Sequence, residues 1–425
     1  MAMNRLGFHY YPDDRHFTEN DLSAWIPALS ALGASWLTVR SSAQRAVPEP
    51  FLRGLIEAGI TPIVSLPARL SSLRPAELSG LLEAYAHWGV RYVVIGDRPN
   101  TRGQWEPAEW GRSALVERYL DRMIPILQAQ RTAGLQPVLP ALEPGGDYWD
   151  TAFLASTLAA LQRRGQQSLV RDLAIGMYTW SYGRSLDWGR GGARAWPSVR
   201  PYQAPGESQD QRGFRSFDWY GQIAEETVGR ALPMLVLGGG VGQAWDPESE
   251  AEIGELVAMA QALATTDVPD SLVAFNVYLL CADADAPEHS SALYVDPNSP
   301  HAAARALFAL AAQPPTHSAP KTPKTIAHYL LLPTNGTLGK DEWSALAEYV
   351  LVWRPVIGFS ISEASLASEV TLVGDSRALP VSVENELRGA GCVVRRVIPQ
   401  PAPSPALHPA AAAGPSILAA GVSHG

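Results

Sequence analysis

The chain of 425 residues is long enough for one large domain and a smaller one, and its 46% hydrophobic and 18% charged residues are ordinary for a globular protein. Its formal net charge of −9 argues against the basic surface with which proteins bind phosphate backbones, so we expect no nucleic acid partner. The 2 cysteines, Cys281 and Cys392, are too few for a disulfide scaffold or a cysteine metal site.

Segments typical of strands and helices alternate through residues 6–312. Predicted strands lie at 6–11, 36–40, 60–66, the apolar run that begins at 92, 135–142, 173–178, 232–237 and 272–280. Predicted helices lie at 20–32, 48–58, 76–88, 114–133, 151–164, 219–227, 248–264 and 300–312. Eight such pairs predict an α/β fold, a (β/α)8 TIM barrel, with an open doubly wound sheet as the alternative.

A smaller domain is predicted after the barrel, which we expect to span residues 1–312. Residues 313–325 form a proline-rich linker, residues 326–398 alternate strands and helices as a small C-terminal α/β module, and residues 399–425 are a tail rich in proline and alanine. The module has no recognisable catalytic site. We expect it to have an accessory role, in docking a protein partner or in self-assembly.

The sequence has no run of the roughly 18 apolar residues that a membrane-spanning helix requires, so we expect no membrane insertion. Residues 1–7 lead into the first strand without the charged and apolar regions of an export signal. We therefore expect a soluble chain that is cytoplasmic by default, or that acts at the cell surface or outside the cell if a leader was removed.

Two motifs stand at the ends of predicted strands, where a (β/α)8 barrel carries its active site. Asp97-Arg98-Pro99-Asn100 follows the fourth strand, and Leu237-Gly238-Gly239-Gly240 ends the seventh. They resemble motifs of the (β/α)8 glycoside hydrolases of the cellulase and β-xylosidase type, which are retaining enzymes. In that family the fourth strand ends in Asn-Glu-Pro-Asn, whose Glu is the acid/base, and the seventh ends in a Thr-Glu-Gly-Gly-like turn, whose Glu is the nucleophile. The resemblance covers about residues 5–312.

Aligning these motifs puts Arg98 at the acid/base position and Gly238 at the nucleophile position. Retaining hydrolysis requires two carboxyl groups about 5 to 5.5 Å apart. A guanidinium does not give up its proton at any useful pH, and glycine has no side chain. The resemblance thus implies a hydrolase fold in which both catalytic positions are degenerate.

Asp97 and Glu143 are the alternative pair of catalytic carboxylates. Asp97 directly precedes the acid/base position and Glu143 follows the fifth strand, whereas no Asp or Glu lies between 236 and 245. An active glycoside hydrolase that uses these relocated carboxylates is therefore an alternative function. Acidic residues at such positions are also typical of helix caps and solvated loops.

Aromatic and polar residues at the strand ends predict a surface that binds an oligo- or polysaccharide. Aromatic faces stack on the C–H groups of sugars, and N–H, O–H and guanidinium groups bind their hydroxyls. Taken singly, each of these residues is more often a packing residue, but their clustering at one end of the barrel favours binding. The predicted binding residues are His9, Tyr11, Arg40, Asn100, Trp105, Tyr178 and Trp180.

No metal or cofactor is predicted. No second His or Cys stands at ligand spacing from His9, and the glycine run at 238–242 lacks the GxxxxGK[ST] and GxGxxG patterns of phosphate-binding loops. We therefore predict a catalytically degenerate barrel that acts in carbohydrate binding or cell-surface recognition. A structural protein that uses the barrel as a scaffold for assembly is the second alternative.

Overall fold

The computed structural model describes residues 4–42, 45–312, 324–333, 340–374, 377–380, 383–384, 387–388 and 390–397. The chain divides into two compact units, Met1–Pro314 and Pro315–Gly425. Of the predicted linker only 324–325 lie within the described residues, and the predicted tail lies outside them.

The first unit is built on eight parallel strands in the order β4-β3-β2-β1-β8-β7-β6-β5. A parallel bridge between Tyr92 and Gln136 joins the two outer strands, so the sheet is a nearly closed barrel. The predicted (β/α)8 fold is confirmed. The open doubly wound alternative is wrong because each strand lies beside its neighbours in the sequence, the first strand pairs with the eighth, and the bridge joins the two remaining edges. The strands are β1 (Leu6–His9), β2 (Trp36–Arg40), β3 (Thr61–Leu66), β4 (Tyr92–Ile95), β5 (Val138–Leu142), β6 (Ala174–Trp180), β7 (Met234–Gly240) and β8 (Leu272–Val277).

Helices follow the strands, and several end at a glycine with positive φ, such as Gly33 after the first helix. Three short helices, Pro107–Trp110, Gln167–Asp172 and Gly192–Ala195, were not predicted, because a segment of 4 to 6 residues has no apolar period to detect. The described helices of this unit are α1 (Glu19–Ala31), α2 (Glu49–Glu57), α3 (Pro75–His87), α4 (Pro107–Trp110), α5 (Leu115–Thr132), α6 (Asp150–Arg163), α7 (Gln167–Asp172), α8 (Gly192–Ala195), α9 (Ser216–Val228), α10 (Glu250–Leu263) and α11 (Ala302–Ala311). A small antiparallel pair, β9 (Tyr294–Asp296) and β10 (Ser299–Pro300), precedes α11.

Alternate residues of each barrel strand face inward and outward. Inward residues such as Trp36, Val94 and Leu235 form a core inside the barrel. Outward residues such as Val93 and Val236 belong to a larger core between the sheet and the helices. We call the end of the barrel at which the strands have their C-terminal ends the mouth. The alternation decides which side chains at the strand ends reach it.

The second unit is a parallel sheet in the order β12-β11-β13-β14, which confirms the predicted α/β module. Its strands are β11 (Ile326–Leu331), β12 (Val356–Gly358), β13 (Ala367–Val373) and β14 (Val393–Val397), and its helices are α12 (Lys340–Trp353) and α13 (Ile361–Ala364). Residues 381–390 of this unit are described only in part. None of the described helices is long and apolar enough to cross a membrane.

Candidate ligand site at the mouth of the barrel

Arg98 lies at the centre of the candidate site, directly after β4. Its backbone N–H donates to the carbonyl of Ala141 at 2.9 Å, which fixes it against the end of β5. Its guanidinium contacts two carboxylates, with Nη1 3.0 Å from Oδ2 of Asp97 and Nε 2.6 Å from Oε2 of Glu143. Its Cζ also lies 4.3 Å from the centre of the Tyr178 ring. Burial disfavours this charge, but Tyr178 and the two carboxylates outweigh it and raise the pKa of Arg98.

Asp97 and Glu143 are thus brought together by one guanidinium. The second oxygen of Asp97, Oδ1, accepts a hydrogen bond of 2.9 Å from the hydroxyl of Tyr178. The pKa of Tyr178 is raised well above its usual value, first by burial and then by the charge of Asp97. Asp97 thus accepts hydrogen bonds from Arg98 and Tyr178, and Glu143 forms an ion pair with Arg98. These contacts fix the positions of both carboxylates.

Gly238 lies opposite, on β7, in register with Tyr178 on β6. A Cβ placed at Gly238 would lie 3.4 Å from the rings of both Tyr178 and Tyr278. Position 238 therefore faces the mouth, and two aromatic rings flank the point at which a side chain from β7 would begin.

His9 ends β1 and is 7% exposed. Its Nδ1 lies 3.0 Å from the carbonyl oxygen of Leu237. Burial, with the charges of Arg40 and Arg98 adding to it, lowers the pKa of His9 from 6.5 to about 4. The imidazole is therefore neutral near pH 7, Nδ1 carries the proton that Leu237 accepts, and Nε2 is an acceptor without a described partner.

Trp180 and Tyr278 form, together with His9, one wall of the mouth, which we call the inner wall. The ring of Tyr278 lies 4.9 Å from that of His9 and 5.9 Å from that of Trp180. The indole Nε1 of Trp180 is buried and has no described partner, so one donor and one acceptor remain unused around the same ring. Burial raises the pKa of Tyr278 to about 12, so its hydroxyl keeps its proton.

Three predicted binding residues lie in packed positions. Asn100 is 0% exposed, donates to the carbonyls of Glu143 and Tyr148 at 2.9 Å each, and accepts from the N–H of Glu143 at 2.8 Å. Trp105 donates to the carbonyl of Pro99 at 2.7 Å. Tyr11 stacks on His16 at 3.9 Å within the outer core. The structure thus brings His9, Arg40, Tyr178 and Trp180 to the mouth, whereas Asn100, Trp105 and Tyr11 support the loops around it.

Sequence reasoning missed two features of the mouth. Tyr278 lies directly after β8, whereas the sequence predicts a strand that continues to residue 280 and so hides an aromatic residue at a strand end. Asp210 has no such signal, because it lies in the long loop between β6 and α9. It accepts from Arg184 and Arg212 at 2.8 Å each, and these contacts order that loop.

One group of three side chains among the described residues has the spacing of a metal site. Carboxylate and imidazole atoms of Asp13, His16 and Asp283 lie within 4.8 Å of one another. The guanidinium of Arg15 already lies 2.7 Å from Asp283 and 3.3 Å from Asp13. Arg15 therefore supplies the positive charge that these two carboxylates require.

No protein-family model and no curated protein matches the sequence. Solved structures match the barrel. A family 39 glycoside hydrolase from Bacteroides cellulosilyticus WH2 superposes with a TM-score of 0.50 at 14% identity, over 73% of this chain and 64% of that one, so the chain spans less than two thirds of that protein. A GH128 (subgroup II) endo-β-1,3-glucanase from Sorangium cellulosum gives a TM-score of 0.43 at 15% identity, over 72% and 97%. An endo-β-1,4-glucanase from Xanthomonas axonopodis pv. citri gives a TM-score of 0.44 at 12% identity, over 73% of this chain and 99% of that one. The predicted resemblance to glycoside hydrolases is confirmed at the level of the fold.

Proposed function

We propose that this barrel binds an oligo- or polysaccharide at its mouth and does not hydrolyse it. The observation that carries the proposal is the position of Arg98, whose guanidinium lies 3.0 Å from Asp97 and 2.6 Å from Glu143. These are the two carboxylates that remain as a candidate catalytic pair.

Hydrolysis would require one of these groups to give a proton to the leaving oxygen and the other to attack the anomeric carbon. Both instead direct an oxygen at the same cation, and Asp97 uses its other oxygen to accept from Tyr178. Gly238 supplies no third candidate, since the rings of Tyr178 and Tyr278 flank its position. The contacts therefore favour a mouth that holds a ligand over one that cleaves it.

Binding is supported by two hydrogen-bonding atoms of the inner wall that have no partner among the described residues. The acceptor Nε2 of His9 and the donor Nε1 of Trp180 have no described partner. Together with the ring of Tyr278 they offer the combination of an aromatic face, a donor and an acceptor that saccharide hydroxyls require. The barrel is also shared with a family 39 glycoside hydrolase.

The test is a binding and turnover assay on the full chain with a panel of soluble and insoluble polysaccharides. We expect retention of at least one polysaccharide, with no release of reducing ends over prolonged incubation. Replacing Tyr278 by Ala should weaken that binding at least tenfold, because it removes the ring at the centre of the wall. The matched control is Phe308→Ala, which removes an aromatic ring that is 49% exposed on the outer helix α11.

Two outcomes would contradict the proposal. Release of sugar that Asp97→Asn or Glu143→Gln abolishes would establish the alternative hydrolase with relocated carboxylates. Neither binding nor release across the panel, together with self-association that requires residues 315–425, would favour the assembly role instead.

A further inference from the structure

Arg40 ends β2 and extends into the mouth. On this strand Trp36 and Thr38 are buried below it, and alternation gives Arg40 the same inward direction. Thr38 is in register with His9 on β1. Arg40 is therefore the next inward side chain above this pair, on the side of the wall formed by His9 and Tyr278.

The guanidinium of Arg40 has no hydrogen bond or ion pair with any residue that the structure describes. Asp97 is held by Arg98 and Tyr178. Glu143 is likewise held by Arg98. The carboxylates at the centre of the mouth thus have partners already.

The charges of Glu288, in the loop after β8, and of Asp97 act on Tyr278, but among the described residues neither forms an ion pair with Arg40. In β7 the mouth-facing position is Gly238, and the sequence has no Asp or Glu from 236 to 245. Arg40 is exposed at the end of β2, so its guanidinium is accessible to a ligand. The charge of Arg40 also acts on His9 and Tyr278: it adds to the effect of burial in lowering the pKa of His9, and it opposes the effect of burial, which raises the pKa of Tyr278.

We propose that the saccharide bound at the mouth is anionic, with its acidic group on the guanidinium of Arg40 and a neighbouring hydroxyl donating to Nε2 of His9. This inference rests on the proposed function and narrows it to a class of ligand. A guanidinium binds planar carboxylates and tetrahedral sulfate esters with charge-assisted hydrogen bonds. The neutral imidazole accepts from a hydroxyl, which a sugar carries beside its acidic group.

Two pairs of polymers distinguish a carboxylate ligand from a sulfate ester. Alginate is compared with its carboxyl-reduced form, and dextran sulfate is compared with dextran. Affinity is measured by calorimetry on the full chain at low salt and at 0.5 M salt. We expect one charged member to bind at least tenfold more tightly than its neutral form, and we expect salt to reduce that preference. General attraction to polyanions does not explain such a preference, because the protein itself is acidic.

Arg40→Gln should abolish the preference for the charged polymer. The matched control is Arg53→Gln on helix α2, where Arg53 is exposed and pairs with Glu49 at 2.6 Å. This control should keep the wild-type preference. Circular dichroism shows whether each variant is folded.

The failures are distinguishable. Equal binding of charged and neutral forms, or a charge preference that survives Arg40→Gln, would overturn the anionic ligand and leave carbohydrate binding standing. Binding of none of these four polymers, together with none of the neutral glycans of the panel, would instead overturn the proposed function.

Discussion

Arg98 is held in a backbone conformation that residues with side chains rarely adopt, with φ at 42°. Such conformations persist where the surroundings over-determine them, and they cluster at functional sites. Here the surroundings are the carbonyl of Ala141, the carboxylates of Asp97 and Glu143, and the ring of Tyr178. These contacts fix the position of the Arg98 guanidinium, which agrees with the proposal that it replaces a catalytic acid.

His9 should make the protein less stable in mild acid. Its pKa is lowered to about 4 in the folded chain, mainly by burial, whereas in the unfolded chain it is near 6.5. Between these values the unfolded state binds the extra proton, so the free energy of unfolding falls as the pH falls through this window. We expect His9 to account for about 2 kcal/mol of stability lost between pH 7 and pH 4.5. Urea unfolding of the wild type and of His9→Asn at both pH values measures the difference.

The control for His9 is the interval from pH 7 to pH 9. Both states of His9 are neutral there, so the wild type and the variant should show the same change in unfolding free energy. An equal loss of stability in the two proteins between pH 7 and pH 4.5 would contradict a depressed pKa. A histidine signal that titrates near pH 6.5 in the wild-type NMR spectrum, and is missing in the variant, would contradict it as well.

At the scale of elements, the glycines that end β7 have different roles. Gly238 faces the mouth between two aromatic rings, whereas Gly239 faces the packed layer behind the strand. A Cβ at Gly239 would lie 2.8 Å from the ring of Phe275, 2.8 Å from the carbonyl oxygen of Thr179 and 2.9 Å from the side chain of Val236. Only Gly239 is therefore required by packing.

Replacing Gly239 by Ala should lower the free energy of unfolding by about 1 to 3 kcal/mol, because backbone and core atoms must move to admit the methyl group. Gly238→Ala is the matched control, since its methyl group would meet two rings at the ordinary contact distance of 3.4 Å. Its cost should be below about 1 kcal/mol. Chemical denaturation of both variants checks the pair, and equal costs would show that the two positions are packed alike.

The order of the barrel elements could be predicted from the sequence, because each buried parallel strand is a short apolar run between two amphipathic helices. The position of Arg98 and Gly238 at strand ends followed from the same pattern. The role of Asn100 did not, since its three hydrogen bonds reach the next βα loop, 43 to 48 residues away. A polar residue after a strand has the same local pattern whether it supports a loop or binds a ligand, and only tertiary contacts distinguish the two.

At the scale of the molecule, the candidate site belongs to one unit. His9, Arg40, Arg98, Tyr178 and Tyr278 come from five different strand ends, and all lie within Met1–Pro314. This unit has its own cores inside and outside the barrel. The second unit has separate cores, which include Leu331 with Val370 and Leu330 with Leu346. Each unit therefore has the buried apolar surface that an independently folding domain requires.

A fragment of residues 1–314 should accordingly fold and keep the whole carbohydrate affinity of the full chain, within about twofold, because no residue of the candidate site is removed. Circular dichroism and a single cooperative melting transition establish folding, and titration with the polysaccharide that the full chain binds establishes the affinity. The fragment 315–425 is the control and should not bind it. A folded barrel fragment whose affinity falls tenfold or more would show that the second unit contributes to the site, and would mean that strand ends of the barrel alone do not form it.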